Sequence, residues 1–478
     1  MMEGNSMVKT EKFYINGSWT APQTTATIDV VNPTTGEVIA NVPQGTVADA
    51  DAAVTAARGA FTAWSETSPD ERASFLARIC DGLEARRDEL VETVTAELGM
   101  PVGMTRDMQV DLAVAESRHH VETLADFPSG ETIGNSEIVH EAVGVVVGIT
   151  PWNYPLVQMM RKVAPALAAG CTIVVKPSEE TPLNAFILAE VIDEVGLPVG
   201  VFNLVTGYGP EIGEALASHP EVDMISLTGS TAAGRRVSEL AAKTIKRVSL
   251  ELGGKSANVV LDDADMDLAA EATLGWCYLN SGQTCSALTR LVVPRSRLAE
   301  AEEAVIRVTA KHVVGDPTAE GTTMGPLVSA KQRDRVLSYI RKGIDEGARV
   351  VLGGIDGQDA DRPGFFVNPT VFSDVKHGMT IEQEEIFGPV LTIIPYDSEE
   401  EAIEIANGTI YGLAAAVWAK DKDRARAVGR KLRAGQVEIN GGEFNSFAPF
   451  GGFKQSGFGR ENGRYGFEEF LEVKSLQL

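Results

Sequence analysis

The sequence predicts an α/β fold, and three observations carry that reading. Continuous apolar runs of strand length, VGVVVGIT (143–150), TIVVKP (172–177), VFNLVT (201–206) and DMISLTG (223–229), have the character of buried parallel strands. Helical segments at 157–169, 181–195, 210–218 and 231–241 separate or follow them, and strand–helix alternation marks a doubly wound sheet. Beyond Gly253 the alternation resumes. The strands read SANVVL, TRLVVP, ARVVLGG, FFVNPTVF, VLTIIPY, LAAAVWA and QVEIN, with helices at 296–312, 329–346, 398–407 and 421–433.

Ahead of these, KFYINGSW (12–19) alternates around Asn16-Gly17 and reads as a two-residue hairpin. Helical periodicity runs from Val47 to Leu98, where Ala53, Ala57 and Phe61, then Phe75, Ile79 and Leu83, recur at helix spacing; another helix covers Arg106 to Leu124. Between 126 and 142, Pro128, Gly130 and Gly134 punctuate short extended pieces, the pattern of a hairpin that leaves the main body. At 478 residues the chain has room for about three structural units.

Composition excludes several functions. A formal net charge of −25 repels nucleic acid and anionic membranes, so neither is an expected partner. Four cysteines in so long a chain are no disulfide framework and fit a reducing, cytoplasmic compartment. Met1 to Thr10 lack the apolar run of a signal peptide, and no stretch approaches the roughly 18 apolar residues of a membrane span. The six histidines show no ligand spacing with each other or with cysteines, so no metal is expected.

Two glycine-containing turns compete as a nucleotide site. GYGPEIG (207–213) lies between a strand and a helix but spaces its glycines as G-x-G-x-x-x-G, one residue longer than a dinucleotide fingerprint. TGSTAAG (228–234) offers small residues that let a helix N-terminus approach a phosphate. KPSEETP (176–182) puts Lys176 and Glu179 just past a buried strand, where open α/β sheets bind ligands and where both groups can meet ribose hydroxyls. Each feature alone is also what a solvated strand end looks like.

The chemistry-bearing residues stand apart from these. NSGQTC (280–285) carries Cys285 beside Gln283, Thr284 and Ser286, a polar setting for a thiol, whereas Cys80, Cys171 and Cys277 read as core. SLELGGK (249–255) ends an apolar strand at Glu251, which becomes a candidate base if a thiol lies near. TPWNYP (150–155) holds Asn153 between two prolines, where its amide could donate to an oxyanion.

These pieces, in this order, resemble the aldehyde dehydrogenase superfamily: PWNYP, KPSE, LTGSTAAG, ELGGKS, GQTC, EEIFGPV (384–390) and PFGGFKQSGFGRENGRYG (449–466). ELGGK followed some thirty residues later by GQxC is the most specific part, and the resemblance runs from the hairpin near Phe13 to the end of the chain. It implies a Rossmann-type cofactor domain (1–125 and 142–252), an α/β catalytic domain (253–445), and a small β oligomerisation domain (126–141 and 446–478) that pairs protomers into dimers or tetramers.

The same resemblance implies oxidation of an aldehyde to its acid on NAD⁺, with NADP⁺ as an alternative. Cys285 would be the nucleophile, Glu251 the general base, and Asn153 with the Cys285 backbone N–H the oxyanion hole. Thr150, Pro151, Trp152, Lys176, Pro177, Ser178, Glu179, Gly229, Ser230, Leu252, Glu385 and Phe387 would hold the cofactor, which places it at GSTAAG rather than at GYGPEIG. A CoA-acylating relative and a non-catalytic family member are the alternatives. Arg161, on the helix after the oxyanion loop, matches a position where semialdehyde dehydrogenases carry Arg; it would hold a substrate carboxylate, or else pair with a nearby Asp or Glu.

Overall fold

In the computed structural model, residues 10–128, 130–359 and 362–478 are described. The first nine residues, most of the segment read for a signal peptide, lie outside them. No helix among the described residues is long and apolar enough to cross a membrane.

The first sheet has eight strands. Five parallel ones form its centre, in the order Arg247–Glu251, Met224–Thr228, Val145–Ile149, Thr172–Lys176, Phe202–Leu204. Gly457–Phe458 closes one edge and the Phe13–Ile15/Ser18–Thr20 hairpin the other, both antiparallel. The hairpin turns at Asn16 (φ 52°) and Gly17 (φ 69°), the doubly left-handed pair that a two-residue turn demands. Chain order reverses between Val145–Ile149 and Met224–Thr228. Neighbouring connections leave to opposite faces there, and a crevice opens at the carboxyl ends of the strands.

The second sheet runs Arg349–Leu352, Thr370–Ser373, Val390–Tyr396, Arg290–Pro294, Ala257–Val260, Ala414–Trp418, Gln436–Ile439, parallel except for its first member. A three-stranded antiparallel sheet joins Gly130–Ile133, Ser136–Ala142 and the last strand, Leu471–Gln477. Thus 446–478 is divided: Gly457–Phe458 belongs to the first sheet and Leu471–Gln477 to the hairpin.

Three segments differ from the sequence reading. FFVNPTVF supplies a strand only over Thr370–Ser373, because Pro369 has no N–H to give a ladder. The segment 210–218 is not one helix: Gly209–Gly213 forms a wide π-type turn and only Glu214–Ser218 is α-helical. A π-type turn, Arg106–Asp111, also precedes the Leu112–Asp126 helix.

Gly144 joins the hairpin to the first central strand. It sits at φ +131°, and a Cβ there would lie 1.9 Å from Asp223 Oδ2. That carboxylate accepts from the Val145 N–H at 2.7 Å and is paired with Arg58, so it has nowhere to go. Gly144→Ala therefore combines backbone strain with a clash at a fixed carboxylate, and should cost about 2–3 kcal/mol. Urea denaturation checks this; an unchanged midpoint would show that the turn relaxes freely.

Candidate active site

Sheet register brings the site together. Ile149 lies beside Lys176, and Thr228 beside Glu251, so all four strands end at one level. The loops that leave them are bonded sideways: Thr150 N donates to Lys176 O at 3.1 Å, and Gly229 N to Glu251 O at 3.0 Å. At the edge of the sheet, Leu252 N donates to Ser456 O at 2.9 Å, and the Ser456 hydroxyl to Gly253 O at 2.7 Å. Ser456, in the quoted KQSGFG segment, was not singled out from sequence; its hydroxyl fixes the strand end that carries Glu251.

Cys285 alone among the four cysteines keeps contact with solvent. Its loop is held in an improbable shape. Asn280 and Ser281 take left-handed backbone conformations (φ 50° and 57°), and Gly282 follows at φ 79°, where a Cβ would meet the Gly388 backbone at 2.2 Å. Left-handed residues with side chains store strain, which surrounding contacts must hold. Those contacts are visible. Gln283 Nε2 donates to Asn280 O (3.1 Å) while its Oε1 accepts from Val328 N (2.9 Å). Thr284 Oγ1 and Tyr154 OH share a hydrogen bond of 2.7 Å.

Asn153 is buried beside this loop. Its Nδ2 donates to Gln283 O at 2.9 Å, and its own backbone carbonyl accepts from Gln109 Nε2 (3.2 Å) and Asn280 Nδ2 (2.9 Å). One N–H of the amide is spent on Gln283, which fixes the direction of the other. Gln109, Asn280 and Gln283 are site residues that the sequence reading did not assign. The only signal for Asn280 and Gln283 was their place in NSGQTC.

Glu251 is buried, and neither carboxyl oxygen has a hydrogen-bond partner among the described residues. Gly451 gives it room, since a Cβ there would stand 2.6 Å from Oε1. Burial, then the nearby Glu461, push Glu251 well above the ordinary carboxyl range, against the pull of Lys162, Arg460 and Arg161. Burial also raises the Cys285 thiol to about 12; Glu385 and Glu251 add to this, and Arg161 opposes it. Both shifts favour the protonated form of each group.

The remaining residues line the crevice. Lys176 is buried, donates from Nζ to Pro177 O at 2.7 Å, and stands 3.6 Å from a Glu179 oxygen. Burial lowers its pKa and Glu179 partly restores it. Ser230 caps the Thr231–Ala241 helix by accepting from Ala233 N at 3.2 Å. Gly234 in that helix has a specific reason to be glycine: a Cβ would lie 2.5 Å from Leu252. Trp152 meets Phe387 edge to face at 5.2 Å, and Phe387 holds φ +65°. Glu385 Oε1 accepts from Gly254 N at 2.9 Å, and burial lifts its pKa to about 7.

Arg161 lies on the Pro155–Ala169 helix, every residue of which is buried. Its Nε and Nη2 donate to the two oxygens of Glu116 at 2.8 and 2.7 Å. The fork expected to hold a substrate carboxylate is thus taken by a carboxylate of the chain itself. Of the two readings of Arg161, pairing is the one realised, but inside the protein rather than on its surface. Next to it, Lys162 donates to Glu461 Oε1 and Thr228 Oγ1, both at 2.7 Å.

A nicotinamide dinucleotide can be tested against this crevice. A helix N-terminus capped by Ser230, a buried ammonium at Lys176 with Glu179 beside it, and a half-buried carboxyl at Glu385 meet at the switch point of a doubly wound sheet. These suit a pyrophosphate and two riboses.

Comparison with known proteins agrees with the geometry. Residues 19–476 match the model of the aldehyde dehydrogenase family. A 3-succinoylsemialdehyde-pyridine dehydrogenase from a Pseudomonas species is 48% identical, covering 97% of this chain and 98% of its own. Aldehyde dehydrogenase C from Pseudomonas syringae, crystallised as a mutant with NAD⁺ and octanal, superimposes with a TM-score of 0.97 at 48% identity, over 100% of this chain and 98% of that one. A Mycobacterium tuberculosis aldehyde dehydrogenase complexed with NAD⁺ gives 0.95 at 46% identity, over 98% of each chain. The chain belongs to the aldehyde dehydrogenase family.

Proposed function

We propose that this protein oxidises uncharged aldehydes to carboxylic acids on NAD⁺, through a thioester on Cys285 that Glu251 hydrolyses. The observation that carries this is the meeting of three side chains from a loop after a helix, a strand end and a strand-to-helix loop: a solvent-reachable thiol, a buried carboxyl without hydrogen-bond partners among the described residues, and an amide with one N–H fixed by Gln283. Lys176 and Glu179 would hold the adenosine ribose, Ser230 and Gly229 the pyrophosphate, and Glu385 and Phe387 the nicotinamide half, with Thr150, Pro151, Trp152, Pro177, Ser178 and Leu252 as walls. The bound dinucleotide supplies a hydride acceptor.

The residues of the chain do the rest. Cys285 must lose its proton before it can attack, and Glu251 in its carboxylate form is the acceptor within reach. A high pKa makes Glu251 a strong base while leaving it charged only part of the time. The oxyanion formed on attack is met by the free Asn153 N–H, with the Cys285 backbone N–H as the second donor. Once the acyl group rests on Cys285 as a thioester and Glu251 has released the thiol's proton to solvent, the carboxylate takes a proton from water. The hydroxide adds to the carbonyl carbon, and the thiolate leaves.

Arg161 argues against acidic substrates, because Glu116 already neutralises it. A row of aromatic rings runs from it: Phe450 lies over Arg161, Phe444 lies 6.4 Å from Phe450, and Trp276 lies 6.3 Å from Phe444. The octanal bound by the Pseudomonas syringae relative and the pyridine named for the Pseudomonas dehydrogenase fit such walls. We place the protein in the cytoplasm, on its four unpaired cysteines. We also assign it a dimer or tetramer built through the hairpin and last strand, where Ile133, Val473 and Leu478 are exposed.

Cys285→Ala should abolish NADH formation from an aldehyde while leaving NAD⁺ binding, read by calorimetry, within about twofold. Glu251→Gln should give a burst of NADH in rapid mixing and then a slow steady rate. Full steady-state activity would remove Glu251 from the base role, and a burst resolved only by added CoA would favour a CoA-acylating enzyme.

With the thiol raised to about 12, alkylation of free Cys285 by iodoacetamide should accelerate continuously as pH rises from 7 to 10. A plateau below pH 8 would mean a thiolate already present at rest.

NAD⁺ should be preferred to NADP⁺, because Glu179 would face the 2′-phosphate with like charge. Glu179→Gln should narrow the ratio of kcat/KM values by about tenfold or more. Equal use of both cofactors by the wild type would refute the assignment.

A further inference from the structure

Arg161 and Glu116 form a closed charge pair beside the reacting groups. Both side chains are almost fully buried, at 7% and 6% exposure, and the bond is bidentate. Asn462 Nδ2 also approaches Glu116 Oε1, at 3.4 Å, and the Phe450 ring covers the guanidinium at 5.2 Å. The Arg161 charge is felt at both Cys285 and Glu251. A guanidinium so placed, with its fork free, would hold a carboxylate at the far end of a short aldehyde.

We propose that Glu116 is a specificity-determining residue: it occupies the Nε–Nη2 edge of Arg161 and so makes the enzyme refuse aldehydes that end in a carboxylate. This rests on the reading of the protein as an aldehyde-oxidising enzyme acting at Cys285. A substrate carboxylate would have to share the guanidinium with Glu116, placing two negative charges together in a buried site. An uncharged chain meets a neutral pair and an aromatic wall. Glu116 thus works as a repulsive element against one substrate class, which is how discrimination is built when attraction alone is insufficient.

A charge gate and a purely structural clamp have different consequences. Glu116 lies on the Leu112–Asp126 helix and Arg161 on the Pro155–Ala169 helix, so the pair also clamps two helices. Loss of a clamp lowers turnover of every aldehyde in proportion. Loss of a charge gate changes the ratio between aldehydes.

The experiment compares pentanal with succinic semialdehyde, similar in length and differing in the terminal charge, by kcat/KM at fixed NAD⁺. The wild type should favour pentanal by about tenfold or more. Glu116→Gln should move the ratio toward the semialdehyde by about tenfold or more, chiefly through its KM. The double variant Glu116→Gln/Arg161→Met should return the ratio toward pentanal. Glu116→Asp, whose shorter carboxylate draws back from the fork while keeping the charge, should move the ratio part of the way and decides the matter if Glu116→Gln does not fold. A wild type that prefers the semialdehyde, or variants that slow both substrates equally, would overturn the proposal. A wild type that turns over neither would instead strike the oxidation reading itself.

Discussion

The buried helix Pro155–Ala169 is the constraint on which the site depends. It carries two adjacent cations, Arg161 and Lys162, in a segment where every residue is buried. Neither cation can stand alone there, since an isolated charge in an apolar interior is too costly. Each is met by a carboxylate brought from elsewhere in the chain. Glu116 arrives on the Leu112–Asp126 helix and Glu461 on the turn before the last helix. Removing either carboxylate would strand a charge and cost about 3–5 kcal/mol. The two pairs therefore fix three separate parts of the chain around the strand ends. Through Thr228, Lys162 also reaches the switch-point strand.

That frame explains how distant segments can be aligned well enough for chemistry. Asn153 precedes the buried helix by two residues, and Glu251 ends the strand paired with the one carrying Thr228. Cys285 comes from the second α/β unit, on a loop with two non-glycine residues in left-handed conformations. Such a loop keeps its shape only because it is bonded from outside, through Asn153 to Gln283 and Tyr154 to Thr284. The strain of the nucleophile loop and the rigidity of the oxyanion loop are thus one structure.

Much of this was legible in the sequence. Apolar strands such as TIVVK and MISLT are unambiguous because parallel strands are buried on both faces. The Thr231–Ala241 helix is visible from the serine that caps it. Cys285, Glu251 and Asn153 stood out because a polar loop around a cysteine, a carboxylate after an apolar strand and an amide between prolines are each poor choices for a core. What sequence could not show was pairing across long separations. Glu116 lies 45 residues from Arg161, and Glu461 lies 299 residues from Lys162. The Arg-Lys dipeptide inside an apolar helix announced that buried acids must exist, without saying which. The sequence therefore left Arg161 open between a substrate carboxylate and an acid of the chain. The π-type turn at Gly209–Gly213 was hidden for a different reason, because helical periodicity does not distinguish a widened turn from a regular one.

The two ion pairs also set the resting charge of the site. Arg161 with Glu116, and Lys162 with Glu461, are each neutral overall, so they contribute short-range fields and little net potential. Against that background the surroundings of the Cys285 thiol and of the buried Glu251 carboxyl favour their protonated forms. Charge appears only during turnover, first as thiolate and then as oxyanion. The group that would answer it, the Asn153 N–H whose direction Gln283 fixes, is already oriented before it forms. Dipoles held in place beforehand need no reorientation when the charge develops, so their full attraction goes into lowering the barrier rather than into organising the site.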